Sequence, residues 1–139
     1  MNITEAQAEK VLKAAISKAK AIKVPMNIAI MDEGANLKLF YRMDGALLGS
    51  ADIAIKKAKT SRLFEMNSEK LGELSQPGES LFNVEHSNGG LISFAGGLVL
   101  KNKNDTIIGS IGVSGGTVAK DFEVANAGSQ ALLNNKYNL

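Results

Sequence analysis

Cysteine is absent from the 139 residues. That excludes a disulfide framework, a thiolate metal site and a cysteine nucleophile, and it agrees with a reducing compartment. There is a single histidine, His86, and there are only 2 prolines. Charge of one sign is also missing: the formal net charge is +2 and the lysines are scattered, which argues against nucleic acid as a partner. The nearest approach to a basic cluster, Lys56, Lys57 and Lys59, winds around a predicted helix. No apolar run reaches the ~18–20 residues of a membrane span. The start, Met1-Asn2-Ile3-Thr4-Glu5, carries no basic region, no apolar stretch and no twin arginine. The expectation is a cytoplasmic protein with no membrane and no nucleic-acid partner.

What is present is ordinary for a folded chain: 45% hydrophobic and 22% charged residues. The length fits one domain over 1–139 and allows a real core. Glycine is the departure from average, with 14 residues. Most lie after residue 88, as Gly89-Gly90, Gly96-Gly97, Gly109, Gly112 and Gly115-Gly116.

Periodicity predicts the elements. Residues 4–22 read as an amphipathic helix opened by a capping box of Thr4 and Gln7, with Val11, Leu12, Ala15, Ile16, Ala19 and Ile22 at helical spacing. Pro25 ends it. Residues 27–32 and 37–42 read as an antiparallel hairpin around Asp32-Glu33-Gly34-Ala35-Asn36, with Gly34 free to take positive φ and the Asp32 side chain bonding the backbone two residues on. Ser50 is the expected N-cap of a helix over 51–66, and a short helix follows at 68–74. Gln76-Pro77-Gly78-Glu79 breaks the chain. Strands are predicted at 91–94, 98–101 and 107–113, the last two a hairpin around Asn102-Lys103-Asn104-Asp105. Met31, Phe40 and Phe94 fall in strands as core residues. Thr117 then caps a final helix to about residue 133. The order α-β-β-α-(α)-β-β-β-α makes an α/β (α+β) fold: a five-stranded antiparallel sheet flanked by helices.

The string Gly109-Ser110-Ile111-Gly112-Val113-Ser114-Gly115-Gly116, followed by Asp121 and Val124-Ala125, is the most specific motif. Arg42-Met43-Asp44-Gly45-Ala46 with Ser50 comes next, after the Asp32-x-Gly34 turn. Lys57-Ala58 and Phe94-x-Gly96-Gly97 complete the set. Together, in this order and spacing, the chain resembles the GlcG/HbpS family, including the PduO C-terminal domain. The resemblance implies a profilin-like fold and a homo-oligomer, a dimer or higher. It implies a small-molecule ligand, with haem or a related tetrapyrrole as the expected cofactor. The alternatives are an enzyme acting on haem or a small hydroxy acid, or a non-catalytic accessory subunit of a metabolic operon.

Against that background His86 is the only nitrogen ligand for haem iron; the competing reading is an exposed loop histidine. Ser114-Gly115-Gly116 leads into a helix whose free N–H groups attract anions, such as a haem propionate; alternatively these glycines only permit a tight turn. Close backbone packing or a bulge is the expectation for Gly109 and Gly112. Arg42 can take a carboxylate in two parallel hydrogen bonds, with Asp44 beside it; alternatively the two pair with each other or with Asp121. Lys57, mid-helix, reads as a surface or packing lysine. Nothing in the sequence brings Ser114, His86 and Asp121 together as a triad, and the Gly-x-Ser-x-Gly pattern is absent.

Overall fold

The computed structural model describes residues 1–133. Residues 134–139 of the expected domain lie outside the described residues. Helix α1 (Glu5–Ala21) opens with the expected capping box: Thr4 accepts from the Gln7 amide, and the Gln7 side chain accepts from the Thr4 amide. Strands β1 (Asn27–Asp32) and β2 (Leu37–Arg42) form the predicted hairpin. Asp32 Oδ1 accepts from the amides of Gly34 and Asn36, both at 2.9 Å. The left-handed residue of that turn is Ala35, at φ 60°, rather than Gly34.

Helix α2 (Gly49–Phe64) begins two residues before the predicted start. Its N-cap is Leu48, with no side-chain cap. Ser50 is buried in the first turn, where its amide bonds to the Leu47 carbonyl. Helix α3 (Ser68–Leu74) follows as expected, then a long irregular strap over 75–96 with one 3-10 turn, Val84–His86. Strands β3 (Gly97–Lys101) and β4 (Ile107–Ser114) and helix α4 (Val118–Leu133) complete the fold. Thr117 Oγ1 caps α4 by accepting from the Lys120 amide at 3.2 Å.

The four antiparallel strands run in the order β2-β1-β4-β3. The expected fifth strand, 91–94, is not one. Its polar groups are taken by side chains instead of a ladder: the Ile92 amide donates to Thr60 Oγ1, and the Phe94 carbonyl accepts from Ser68 Oγ. Phe94 is therefore outside the sheet and partly exposed, and Phe40 sits partly exposed on the edge strand β2; of the three predicted strand core residues only Met31 is buried.

Helices α1 and α4 cover one face of the sheet and α2 the other. The larger core lies on the α1/α4 face, around Val11, Ile28, Ile30, Leu100, Ile111 and Val124. The α2 face is built from small residues, Ala29, Ala54 and Ala58 with Met31. Glycine is what brings α2 down onto it: a Cβ at Gly112 would stand 2.0 Å from the Ala54 carbonyl oxygen, and one at Gly97 2.4 Å from that of Lys57. Backbone meets backbone, as the close-packing reading of Gly112 requires.

Candidate functional site

Helix geometry sends Ala54, Lys57, Ala58 and Ser61 to the same side of α2, and all four are fully buried against the sheet. A lysine there must find partners or neutralise. Lys57 Nζ donates to the Val113 carbonyl at 2.9 Å and to Asp121 Oδ2 at 2.9 Å, and stands 5.0 Å from the centroid of the Phe94 ring. Asp121 belongs to the first turn of α4, where a carboxylate also complements the helix dipole. Its second oxygen, Oδ1, accepts from the Gly116 amide at 2.8 Å. One buried ion pair thus ties α2, the end of β4, the start of α4 and the last turn of the strap. Gly96 makes room for it: at φ 127°, its Cβ would stand 2.6 Å from Lys57 Nζ and 2.5 Å from the Val113 carbonyl. Burial pushes the Lys57 ammonium below its usual 10.5, more than the hydrogen bond and charge of Asp121 hold it up.

This pair is what sequence reasoning missed. Lys57 is neither a surface lysine nor a simple packing one. The available signal was its place among Ala54, Ala58 and Ser61, an i, i+3, i+4, i+7 set of small residues with one cation in its middle.

At Ser114-Gly115-Gly116, the expected anion site, the Gly116 amide is engaged by the chain's own Asp121 carboxylate. Ser114 is buried, and Gly115, at φ 156°, lies against the Pro25 carbonyl, 2.5 Å from where a Cβ would be. Ser114 stands in register with Asn27, and Asn27 with Arg42, so the three form one row across β4, β1 and β2. Asn27 is fully buried and donates to the Leu47 carbonyl at 3.0 Å. Arg42 and Asp44 are exposed, and among the described residues neither forms an ion pair, with each other or with Asp121.

His86 lies elsewhere, exposed on the strap, and its ring makes no hydrogen bond among the described residues. Leu81 and Phe82 are exposed beside it in the chain. The strap is pinned to α3 by the Leu81 amide on the Leu74 carbonyl and to α2 by Lys59 Nζ on the Asn88 carbonyl. It runs into β3, the opposite edge of the sheet from β2, so three strand spacings, ~14 Å, separate β3 from the strand that ends in Arg42. The expected site residues therefore fall in three places: His86 on the strap, Arg42 and Asp44 at the β2 edge, and Ser114–Gly116 at the start of α4. With Asp121 held by Lys57 and His86 free on the strap, the triad does not form. Among the described residues no group of three or more His, Asp or Glu side chains is placed to hold a metal ion. Two shallow clefts of about 260 and 360 Å³ lie along α1, lined in part by Gln7, Lys10 and Leu132 and by Glu5, Glu9 and Leu39, and neither includes a candidate residue. No helix among the described residues is long and apolar enough to cross a membrane.

The family model described as haem degrading protein HbpS-like matches residues 3–130. An uncharacterised 15.0 kDa protein of the dhaT–dhaS intergenic region of Citrobacter freundii is 38% identical over 119 residues, 86% of this chain and 84% of that protein. Corrinoid adenosyltransferase PduO of Salmonella typhimurium is 33% identical over 121 residues, but the chain spans only 36% of its length. The crystal structure of a PduOC–haem complex superposes with a TM-score of 0.89 at 30% identity, covering 94% of this chain and 95% of that one.

Proposed function

Because the chain belongs to the HbpS-like family, we propose that it binds haem or a closely related tetrapyrrole, with His86 as the axial ligand of the iron. The observation that carries the proposal is the likeness, over nearly the whole of both chains, to a structure that holds haem. The residues present fit the group. His86 is the only imidazole in the sequence, it is exposed, and its ring has no competing partner among the described residues. Exposed Leu81 and Phe82 supply apolar surface in the same strap. Bound haem brings the redox and ligand-binding chemistry of its iron; this chain's residues bind it, orient it and set its access to water.

Arg42 and Asp44, at the opposite edge of the sheet from the strap, stand outside this site in the proposal. Ser114, Gly115 and Gly116 enter it as the start of α4 that braces the site: the Gly116 amide holds Asp121, and Asp121 holds Lys57 beneath Phe94. Neither cleft includes His86, so the proposed site is an open face. Its apolar side would be covered by a second copy of the chain, for which exposed Leu47, Leu48 and Phe82 are available.

Haem titration of the purified protein, read by visible spectroscopy, tests this. Stoichiometric binding is expected, with a Soret band that shifts or collapses in His86→Ala. Binding indifferent to His86 removes the assigned ligand. Sedimentation with and without haem reads the assembly; a monomer in both conditions rejects the covering copy.

A further inference from the structure

Lys56, Lys57 and Lys59 are the densest run of positive charge in the sequence, and the helix divides them. Lys57 turns into the core. Lys56 and Lys59, three residues apart on α2, both turn out against the strap. A Cβ at Gly90 would stand 3.3 Å from Lys56 Nζ, and one at Gly89 3.5 Å from Lys59 Nζ. Two ammonium groups therefore flank the Asn88–Gly90 turn, where three successive residues take left-handed backbone, at φ 52°, 73° and 108°. The absence of side chains at Gly89 and Gly90 lets both ammonium groups approach the turn, and the Lys56 side chain stays 33% exposed.

This turn starts two residues after His86. The Ser87 amide bonds back to the Val84 carbonyl and the Gly90 amide to the Ser87 carbonyl, both at 2.9 Å, so the segment is folded on itself. Even extended, four residues span at most ~14 Å. The sole imidazole and two cations thus lie within the span of one tetrapyrrole, whereas Arg42 ends a strand on the far edge of the sheet. Both ammoniums keep capacity for a ligand. Lys59 spends one donor on the Asn88 carbonyl, and an ammonium has three. Lys56 pairs with Asp52 at 2.9 Å, but Asp52 is exposed and such a pair is readily exchanged for another carboxylate.

We propose that Lys56 and Lys59 form the carboxylate-binding edge of the ligand site, receiving the two carboxylates of a dicarboxylate tetrapyrrole whose iron rests on His86. The inference deepens the haem reading above and rests on it.

The test compares haem with its dimethyl ester, which keeps the ring and iron but has no charged carboxylates. Both are titrated into the full chain and into Lys56→Gln/Lys59→Gln, Arg42→Gln and His86→Ala. The double lysine variant should bind haem about 3–30-fold more weakly, the effect of losing two surface ion pairs. It should bind the ester as the parent does and keep the parent's Soret shape, and Arg42→Gln should leave both affinities unchanged. An equal loss for haem and ester would mean that the lysines only hold the strap, and would overturn the inference. So would an unchanged haem affinity in the double variant while His86→Ala still alters the Soret band, an outcome that leaves the haem reading standing. If the parent binds neither compound, the haem reading fails and the inference falls with it.

Discussion

Removing the Lys57 ammonium while keeping the shape of its side chain tests the central brace of the fold. In Lys57→Met the Asp121 carboxylate stays buried, at 2% exposure, with only the Gly116 amide for company. Breaking one side of a buried pair costs about 3–5 kcal/mol. That is a large share of the ~5–15 kcal/mol that holds a typical domain together, and corresponds to a fall in Tm of roughly 10–20 °C. Asp121→Asn should cost a similar amount, because Lys57 is then left with the Val113 carbonyl alone. The double variant Lys57→Met/Asp121→Asn removes both charges and keeps an acceptor for the Gly116 amide. It should recover most of the loss, ending within about 2 kcal/mol of the parent. Urea unfolding of the four proteins, with the slope checked for constancy, gives the cycle. Two single variants that each cost under about 1 kcal/mol, or a double whose loss equals the sum of the singles, would refute the reasoning.

The pair also has a pH signature. Between the lowered value for Lys57 and 10.5, the unfolded chain still binds a proton that the folded chain has released, so this residue's contribution to stability rises with pH across that window. The stability difference between the parent and Lys57→Met should therefore widen from neutral pH toward about pH 10.5; a narrowing difference would show the proton to be held more tightly in the fold. Gly112→Ala should destabilise by about 3 kcal/mol in urea melts, because the new methyl meets the backbone of α2 rather than a movable side chain. Ser61→Ala should be neutral or stabilising by up to ~1 kcal/mol, since Ser61 Oγ is buried with no partner among the described residues; a loss above that range would reveal a bond to its hydroxyl.

The local chemistry of the chain was legible. The Thr4–Gln7 box, the Asp32 turn and the Thr117 cap each act within a few residues, and each occurs where the sequence places it. The run 91–94 misled because its apolarity has another cause: Leu91 is buried and the backbone is held by Thr60 and Ser68, contacts some 30 positions back along the chain. Ser50 misled because a hydroxyl near a helix start is a cap only if the backbone before it is extended, and Leu48 is already helical. The candidate site was the least legible. Lys57 and Asp121 are 64 positions apart, and nothing local distinguishes a lysine that will meet a buried carboxylate from its neighbours Lys56 and Lys59. His86 could be found because it is unique; the relation of the lysines to it needs the folded strap.

The two faces of the sheet set different terms for sequence change. On the α1/α4 side, branched and aromatic side chains such as Ile111, Val11 and Phe122 interlock, and a lost methylene in one can be met by a rotamer change in another. On the α2 side, carbonyl and amide atoms occupy the space that side chains would fill, at Gly97 and Gly112. Such a contact has no rotamers and hence no slack. Drift should accumulate on the first face through compensating swaps, while the second admits almost none, holding the helix that carries Lys56, Lys57 and Lys59 at a fixed height above the sheet.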